Sequence, residues 1–400
     1  MGALDGIKVL DMTQAMSGPF ATMLLGDLGA EIIKVEPPEG DQTRSWAPPY
    51  MGGISSYFMS TNRNKESISI DLKKPEGKEI LRRLIKTSDV LVENFRPGVM
   101  EKLGFSRQDV MEINGKLIYC SISGFGQTGP MKDLPGYDLV ILAMSGLLGI
   151  TGNPDSSPVK FGVPIADITT ALFAAISILA ALYSRKETGK GQYIDLSMLD
   201  SNFLVLTHQL TAYLSTGKNP EKLGSAHSSI APYQAFRTED GYIVITVGTE
   251  KLWEKFCNAL DPSLLGMPEF RTNVDRVGHR AMLESKINEL LKSRTTFGIY
   301  KILSEAGIPC APVNNVSDAV NNDQIKFREM ILNMHTDNGD ITLPGTPFKL
   351  SDTPGTIRSP PPLLGNKNEK ILTGAGYTPD EVHKLYIKHV IFKRESDLKE

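Results

Sequence analysis

Short apolar runs alternate with amphipathic stretches from Ile7 to Ser123, and this alternation narrows the choice of fold more than any other feature of the chain. IKVLDMT (7–13) reads as a strand, Phe20 to Leu28 as a helix stopped by Gly29, and EIIKVE (31–36) as a second strand. The pattern returns with a helix from Pro75 to Lys86, whose Leu81, Leu84 and Ile85 share one face. It continues with the strand DVLVEN (89–94), a helix near Ser106 to Ile113, and KLIYCSIS (116–123). Strands separated by helices of this length predict an α/β, Rossmann-like domain, with a parallel sheet covered on both faces. The first turn, TQAMSGP, lacks the GxGxxG spacing, so the dinucleotide fingerprint is missing.

A chain of 400 residues exceeds what one core usually holds. After Asp200 the texture changes. PYQAFRTEDGYIVITVG reads as a hairpin turning at Asp240-Gly241 with positive φ values, followed by helices near Glu250 to Leu260, His279 to Lys292 and Thr296 to Ala306. The expected organisation is a large domain from residues 1–200 and 343–400 and a smaller inserted α+β domain at 222–322, with linkers at 201–221 and 323–342. The charged end, 393–400, reads as a tail.

Lys and Arg number 43 and Asp and Glu 46, which leaves a net charge of −3 and no basic block. Nucleic acid is therefore not an expected partner, because binding it needs a clustered basic surface. Cys120, Cys257 and Cys310 are few and scattered, which fits a reducing compartment, and no CxxC or HxxxH spacing supplies a metal site. The acidic start MGALDGIKVLD does not resemble a leader, and a cytoplasmic location is expected. Ile168 to Ser184 contains no charge but is shorter than the ~20 residues that span a bilayer, so the expectation is a buried core helix and no membrane partner.

Asp167 stands directly before that run. It reads either as a helix cap accepting from the amides of Thr169 or Thr170, or as an anion held ready to attack an electrophile, and the two roles are compatible. SISGFGQTGP (121–130) is a glycine-rich loop after a strand, able to bring backbone amides to an anion or to serve as a plain turn. Arg96 and Lys102 flank a Pro-Gly turn and suit phosphate or solvent equally. Arg63, Lys65, Lys73 and Lys74, near a predicted strand edge, suit phosphate or the guarding of that edge equally. His227 and Glu250 are polar candidates of the later segment, while GxSxG and GxxxxGK[ST] are both absent.

GIKVLDMTQAMSGPFATMLLGDLGAEIIKVEPPEGDQTR, NKESISIDLKKPEGKE, DVLVENFRPGVMEKLGF, SISGFGQTGP, PGYDLVILAMSGLLGITG and GKGQYIDLSMLD occur in this order. Together they resemble the class III CoA-transferases, the formyl-CoA transferase and carnitine CoA-transferase family, from about Leu4 to Ile391. GSAHSSIAPYQAFRTEDGY is most similar to the succinyl-CoA:glutarate branch. The resemblance implies a large domain built from both chain ends, a small inserted domain, and a homodimer of interlocked rings. It also implies CoA transfer from an acyl-CoA such as succinyl-CoA to a small, dicarboxylic acid, with acyl-CoA as substrate and no tightly bound cofactor or metal.

Residue by residue, the resemblance implies Asp167 as nucleophile, passing through an aspartyl anhydride and an aspartyl-CoA thioester. It implies CoA contacts at Met16, Ser17, Pro37, Ile70, Asp71, Leu72, Lys73, Asn94, Phe95, Arg96, Lys102, Pro135, Gly136, Tyr137 and Asp138. Pro37 stands where formyl-CoA transferase has arginine and Met16 where it has glutamine, so those contacts do not transfer unchanged. That enzyme's glycine-rich lid has no counterpart, and His227 with Ser228 are the candidates to shield the intermediate. Related α-methylacyl-CoA racemases carry a histidine at the position of Tyr137. A phenol, with an ordinary pKa near 10, suits proton return at neutral pH poorly, which favours the transferase over a racemase. A non-catalytic acyl-CoA binder is the third reading.

Overall fold

The computed structural model describes residues 1–336 and 339–394; most of the charged tail expected at 393–400 lies outside the described residues. Seven strands form the main sheet: β1 (Lys8–Asp11), β2 (Glu31–Glu36), β3 (Lys65–Ile70), β4 (Val90–Glu93), β5 (Ile118–Ser123), β6 (Gln192–Ser197) and β7 (Ile391–Phe392). Their order is β7-β3-β2-β1-β4-β5-β6. Strands β1 to β6 run parallel in a doubly wound arrangement, whose direction of winding reverses between β1 and β4. The sheet is mixed, where a parallel one was expected: β7 pairs antiparallel with β3, Ile391 opposite Ile70. A two-residue strand at the chain's end carries no periodic signal. What fixes it is the apolar cluster of Leu10, Ile33, Ile68, Leu81 and Leu91, which also takes in Leu372, Leu385 and Val390. Each such side chain contributes about 1.5–3 kcal/mol by leaving water.

Helix α1 (Ser17–Asp27) follows β1 and is buried along nearly its whole surface. Gly18 is needed at its start, because a Cβ there would lie 2.3 Å from the side chain of Thr13. Helices α2 (Pro75–Thr87), α3 (Val99–Leu103) and α4 (Asp138–Met144) follow β3, β4 and β5. The uncharged run forms α5 (Ile165–Thr188), which is long and apolar enough to cross a membrane by length and composition. It packs on α1, and its Ala166, Ala171, Ala174 and Ile178 are buried. The expectation of a fully buried helix fails on the other face, where Leu172 is 45 %, Ile176 60 % and Tyr183 72 % exposed. Helix α6 (Met198–Val205) lies beside α5.

The chain divides into two compact units. One comprises Met1–Leu147, Phe161–His208 and the described residues from Gln324 onward; the other comprises Leu148–Lys160 and Gln209–Asp323. In the second unit, strands Tyr233–Arg237, Tyr242–Thr246 and Cys310–Pro312 form an antiparallel sheet. It covers an apolar core of Phe236, Ile245, Trp253, Phe256 and Leu303. The hairpin does not use positive φ at Asp240-Gly241. Its four-residue turn closes from Thr238 to Gly241, and the Asp240 carboxylate instead accepts from the amide and hydroxyl of Thr296 at 2.7 Å each.

Of the four charges placed near a sheet edge, Arg63 and Lys65 are inside the first unit, whereas Lys73 is exposed. Arg63 pairs with Asp27 at 2.6 Å, and Lys65 reaches Asp11 at 2.9 Å with neither side chain exposed. Lys34 on β2 pairs with Asp41, and Glu36 with Arg44, all four buried. Burial opposes the charge on Asp11, but Lys65 and Lys34 hold its carboxyl well below the ordinary range. Burial, abetted by Lys34, lowers Lys65 to about 8. Lys65→Met strands the Asp11 carboxylate, and urea unfolding is expected to show a loss of about 3–5 kcal/mol; a loss under about 1 kcal/mol contradicts this account of the network.

Candidate active site

Asp167 is not the cap of its helix. Pro164 precedes the first residue of α5, no side chain of its own caps it, and Asp167 sits third, inside the first turn. The capping acceptor is Asp138, whose Oδ1 accepts from the amide of Ala166 at 2.8 Å. Asp138 can do so because the Pro135–Tyr137 segment leading into α4 is held against the end of β5. There Gly124 and Gly136 meet backbone to backbone, and a Cβ on Gly124 would stand 2.7 Å from the Gly136 Cα.

The amide and hydroxyl of Ser17, the first residue of α1, face the carboxyl of Asp167 and favour its charged form. It therefore lies at two helix N-terminal turns at once, where free amides favour an anion. Burial works the other way, and the neighbouring Asp138 adds like-charge repulsion; together they raise Asp167 to about 7. The anion is thus less favoured than the helix amides alone imply. At neutral pH the group is divided between acid and carboxylate.

Tyr57 also faces this centre, and nothing in the sequence marked it. Burial and the charges of Asp167, Asp138 and Asp41 raise its phenol above the ordinary value. Its ring meets Trp46 edge-on at 4.9 Å. Both residues come from the segment between β2 and β3, Trp46 just after a short 3-10 turn and Tyr57 within the four-residue helix Ser56–Met59.

A cavity of about 220 Å³ opens at the carboxyl ends of β1 to β4, the side where doubly wound sheets bind ligands. Its lining brings together Pro37, Ile70, Asp71, Leu72, Lys73 and Phe95 with Met12 and Gln14. The other sequence candidates lie elsewhere. Arg96 borders a separate small hollow with Glu93 and Tyr119, and Lys102 is exposed on α3. Met16 is buried at the start of α1, and Tyr137 is 64 % exposed. Asn94 turns to the backbone of Gln14, accepting from its amide and donating to its carbonyl, each at 2.8 Å. The glycine-rich loop gives its Gln127 amide to Asp195 of β6 at 3.1 Å, so an internal anion occupies that donor. In the second unit, Arg280 holds the carbonyls of His227 and Ser228, and the His227 ring accepts from the Ser229 amide. Glu250 is structural, forming a two-pronged pair with Arg276. Among the described residues, no three His, Cys, Asp or Glu side chains gather to hold a metal.

Residues 4–368 match the model of CoA-transferase family III. The chain belongs to that family. It is 41 % identical over 400 residues to succinyl-CoA:glutarate CoA-transferase of Mus musculus, covering 99 % of this chain and 92 % of that one. It is 39 % identical to acetyl-CoA:oxalate CoA-transferase of Acetobacter aceti, covering 88 % and 90 %. The crystal structure of a CAIB/BAIF family protein from Brucella suis superposes with a TM-score of 0.86 at 38 % identity, covering 94 % and 99 %. This class III CoA-transferase moves CoA between an acyl-CoA and a small carboxylic acid.

Because Asp167 is raised in the folded enzyme, the stability it contributes is present at low pH and is lost as pH rises through about 7. Asp167→Asn does not titrate. Its melting temperature is expected to gain on the parent from pH 5 to pH 8, measured by scanning calorimetry; a constant difference contradicts the raised pKa.

Proposed function

We propose that Asp167 is the nucleophile of the transfer, that succinyl-CoA or a similar short-chain acyl-CoA is the donor, and that a small dicarboxylic acid is the acceptor. The observation that carries the reading is the Asp167 carboxyl itself, in the first turn of α5, faced by Ser17 at the start of α1 and crowded by Asp138. The names of the relatives support the substrate class.

A carboxylate oxygen of Asp167 attacks the thioester carbon, forming a mixed anhydride and releasing CoA thiolate. The thiolate then attacks the aspartyl carbonyl, and the first acid leaves as carboxylate. The acceptor carboxylate attacks the resulting aspartyl-CoA thioester, and the thiolate returns to the acceptor's acyl carbon, freeing Asp167. Every step exchanges one nucleophile for another, and no proton or electron is gained overall. Acylation removes the charge on Asp167 and with it the repulsion from Asp138, so the ground state is raised relative to the intermediate. The cavity at β1 to β4 is proposed to take CoA through Pro37, Ile70 to Lys73 and Phe95, its apolar walls facing the adenine.

We further propose a homodimer of interlocked rings. Leu139 and Val140 on α4, Leu172, Ile176 and Tyr183 on α5, and Phe203 and Leu204 on α6 are all exposed in the single chain, and together they form an apolar surface that a second chain would cover. Sedimentation equilibrium is expected to give two chains per particle; a monomer at micromolar concentration contradicts it.

With succinyl-CoA as donor and a panel of acids, mass spectrometry of the products is expected to show new acyl-CoA species for dicarboxylates. Asp167→Ala is expected to lower exchange by about a thousandfold or more. The kcat/KM profile reports the free enzyme and should fall on the acid side with a midpoint near the Asp167 value of about 7. Asp138→Asn keeps the capping oxygen while removing the like charge, so that midpoint should move to lower pH. Full exchange by Asp167→Ala rejects the nucleophile, and an unmoved midpoint in Asp138→Asn rejects the electrostatic coupling.

A further inference from the structure

The turn between β1 and α1 has no regular structure, yet it is fastened residue by residue. The amide and hydroxyl of Thr13 both donate to Oδ1 of Asp11, and its carbonyl accepts from Nζ of Lys34 at 2.8 Å. The amide of Ala15 points to Oδ1 of Asp41 at 3.4 Å. Ala15 has φ +65, a conformation that a residue with a Cβ adopts only when its surroundings impose it. Between them, the Gln14 peptide is gripped at both its amide and its carbonyl by one side chain, Asn94 at the end of β4. Two residues beyond Ala15 comes Ser17, the first residue of α1, whose amide and hydroxyl face the Asp167 carboxyl.

An amide that spends its oxygen and its nitrogen on the same peptide acts as a clamp, and a side chain so engaged is poorly placed to bind CoA. We propose that Asn94 is a positioning residue for Asp167, holding the Gln14 peptide so that Ser17 presents both of its donors to the carboxyl. The proposal rests on the reading of Asp167 as nucleophile. The groups facing Asp167 are Ser17 from α1, Asp138 from the start of α4 and Tyr57 from the stretch before β3. Glu93 adjoins Asn94, accepts from the Phe95 amide at 2.8 Å and is itself raised by burial to about 7. Because both acids titrate in the same range, the midpoint is read on Asp167 itself.

The test labels aspartate alone with 13C at Cγ in the full-length enzyme and assigns the Asp167 signal by its loss in Asp167→Asn. Glu93 is then silent. In Asn94→Ala the Asp167 midpoint is expected to rise by about half a pH unit or more, because donors to the charged form are lost. The kcat is expected to fall about tenfold, with KM for acyl-CoA changed by less than about twofold. Ser17→Ala should move the midpoint in the same direction, and the two shifts should not add in the double variant, since one acts through the other. Asn94→Ser, too short to span both groups of Gln14, serves as a second variant if Asn94→Ala does not fold. An unmoved Asp167 midpoint in the folded variants overturns the proposal, as does a raised KM with unchanged kcat, which marks a CoA contact instead. Full exchange by Asp167→Asn overturns the nucleophile reading separately, while the titration, which needs no turnover, still reports whether Asn94 holds the carboxyl.

Discussion

Everything at the centre of this enzyme depends on charge buried beneath the turn between β1 and α1. Lys65 and Lys34 are wholly enclosed, and Asp11 and Asp41 face them at 2.9 Å. Lys65 also binds the Pro19 carbonyl of α1, and Lys34 the Thr13 carbonyl of the turn. Such a network adds little net stability over an apolar core of the same volume, because desolvation consumes most of its attraction. Its effect is positional. Carbonyls that would otherwise point in several directions have one cation to meet, and α1 begins in one place.

Asp167 then experiences opposed forces. Ser17 and the first turns of α1 and α5 draw its carboxyl toward the anion, whereas burial and Asp138 push it toward the acid. The second pair prevails, and the result is a carboxyl near 7. An ordinary surface aspartate is a stable anion and a poor nucleophile; one that is crowded and poorly solvated gains by being acylated. The fold thus makes a weak nucleophile reactive by position, with the acid that crowds it also serving as the cap of its helix.

Periodicity sufficed to read β1, β2, β4 and β5 and the helices between them, since a twofold and a 3.6-fold repeat cannot be confused over such lengths. The helix at Glu250–Leu260 falls where its apolar spacing places it. Strand β7 was illegible because two residues carry no period. Arg63 and Lys65 are buried where an edge was expected because charge in a sequence reads as exposure, and only the carboxylates of Asp27 and Asp11 from distant segments make their burial tolerable. Asp167 was legible as an acid at the mouth of an apolar helix, but the cap of that helix, Asp138, stands 28 positions before the Ala166 amide it meets. Tyr57 left no trace, because the helix Ser56–Met59 that carries it has four residues, too few for a periodic signal.

The most direct measurement is covalent. The enzyme is incubated with acyl-CoA, quenched in acid and digested, and the peptide carrying Asp167 is examined by mass spectrometry for an added CoA. The account predicts a CoA thioester on Asp167 that disappears when acceptor acid is added before the quench and never forms in Asp167→Asn. Active exchange with that peptide unmodified, or with the adduct on another residue, contradicts it.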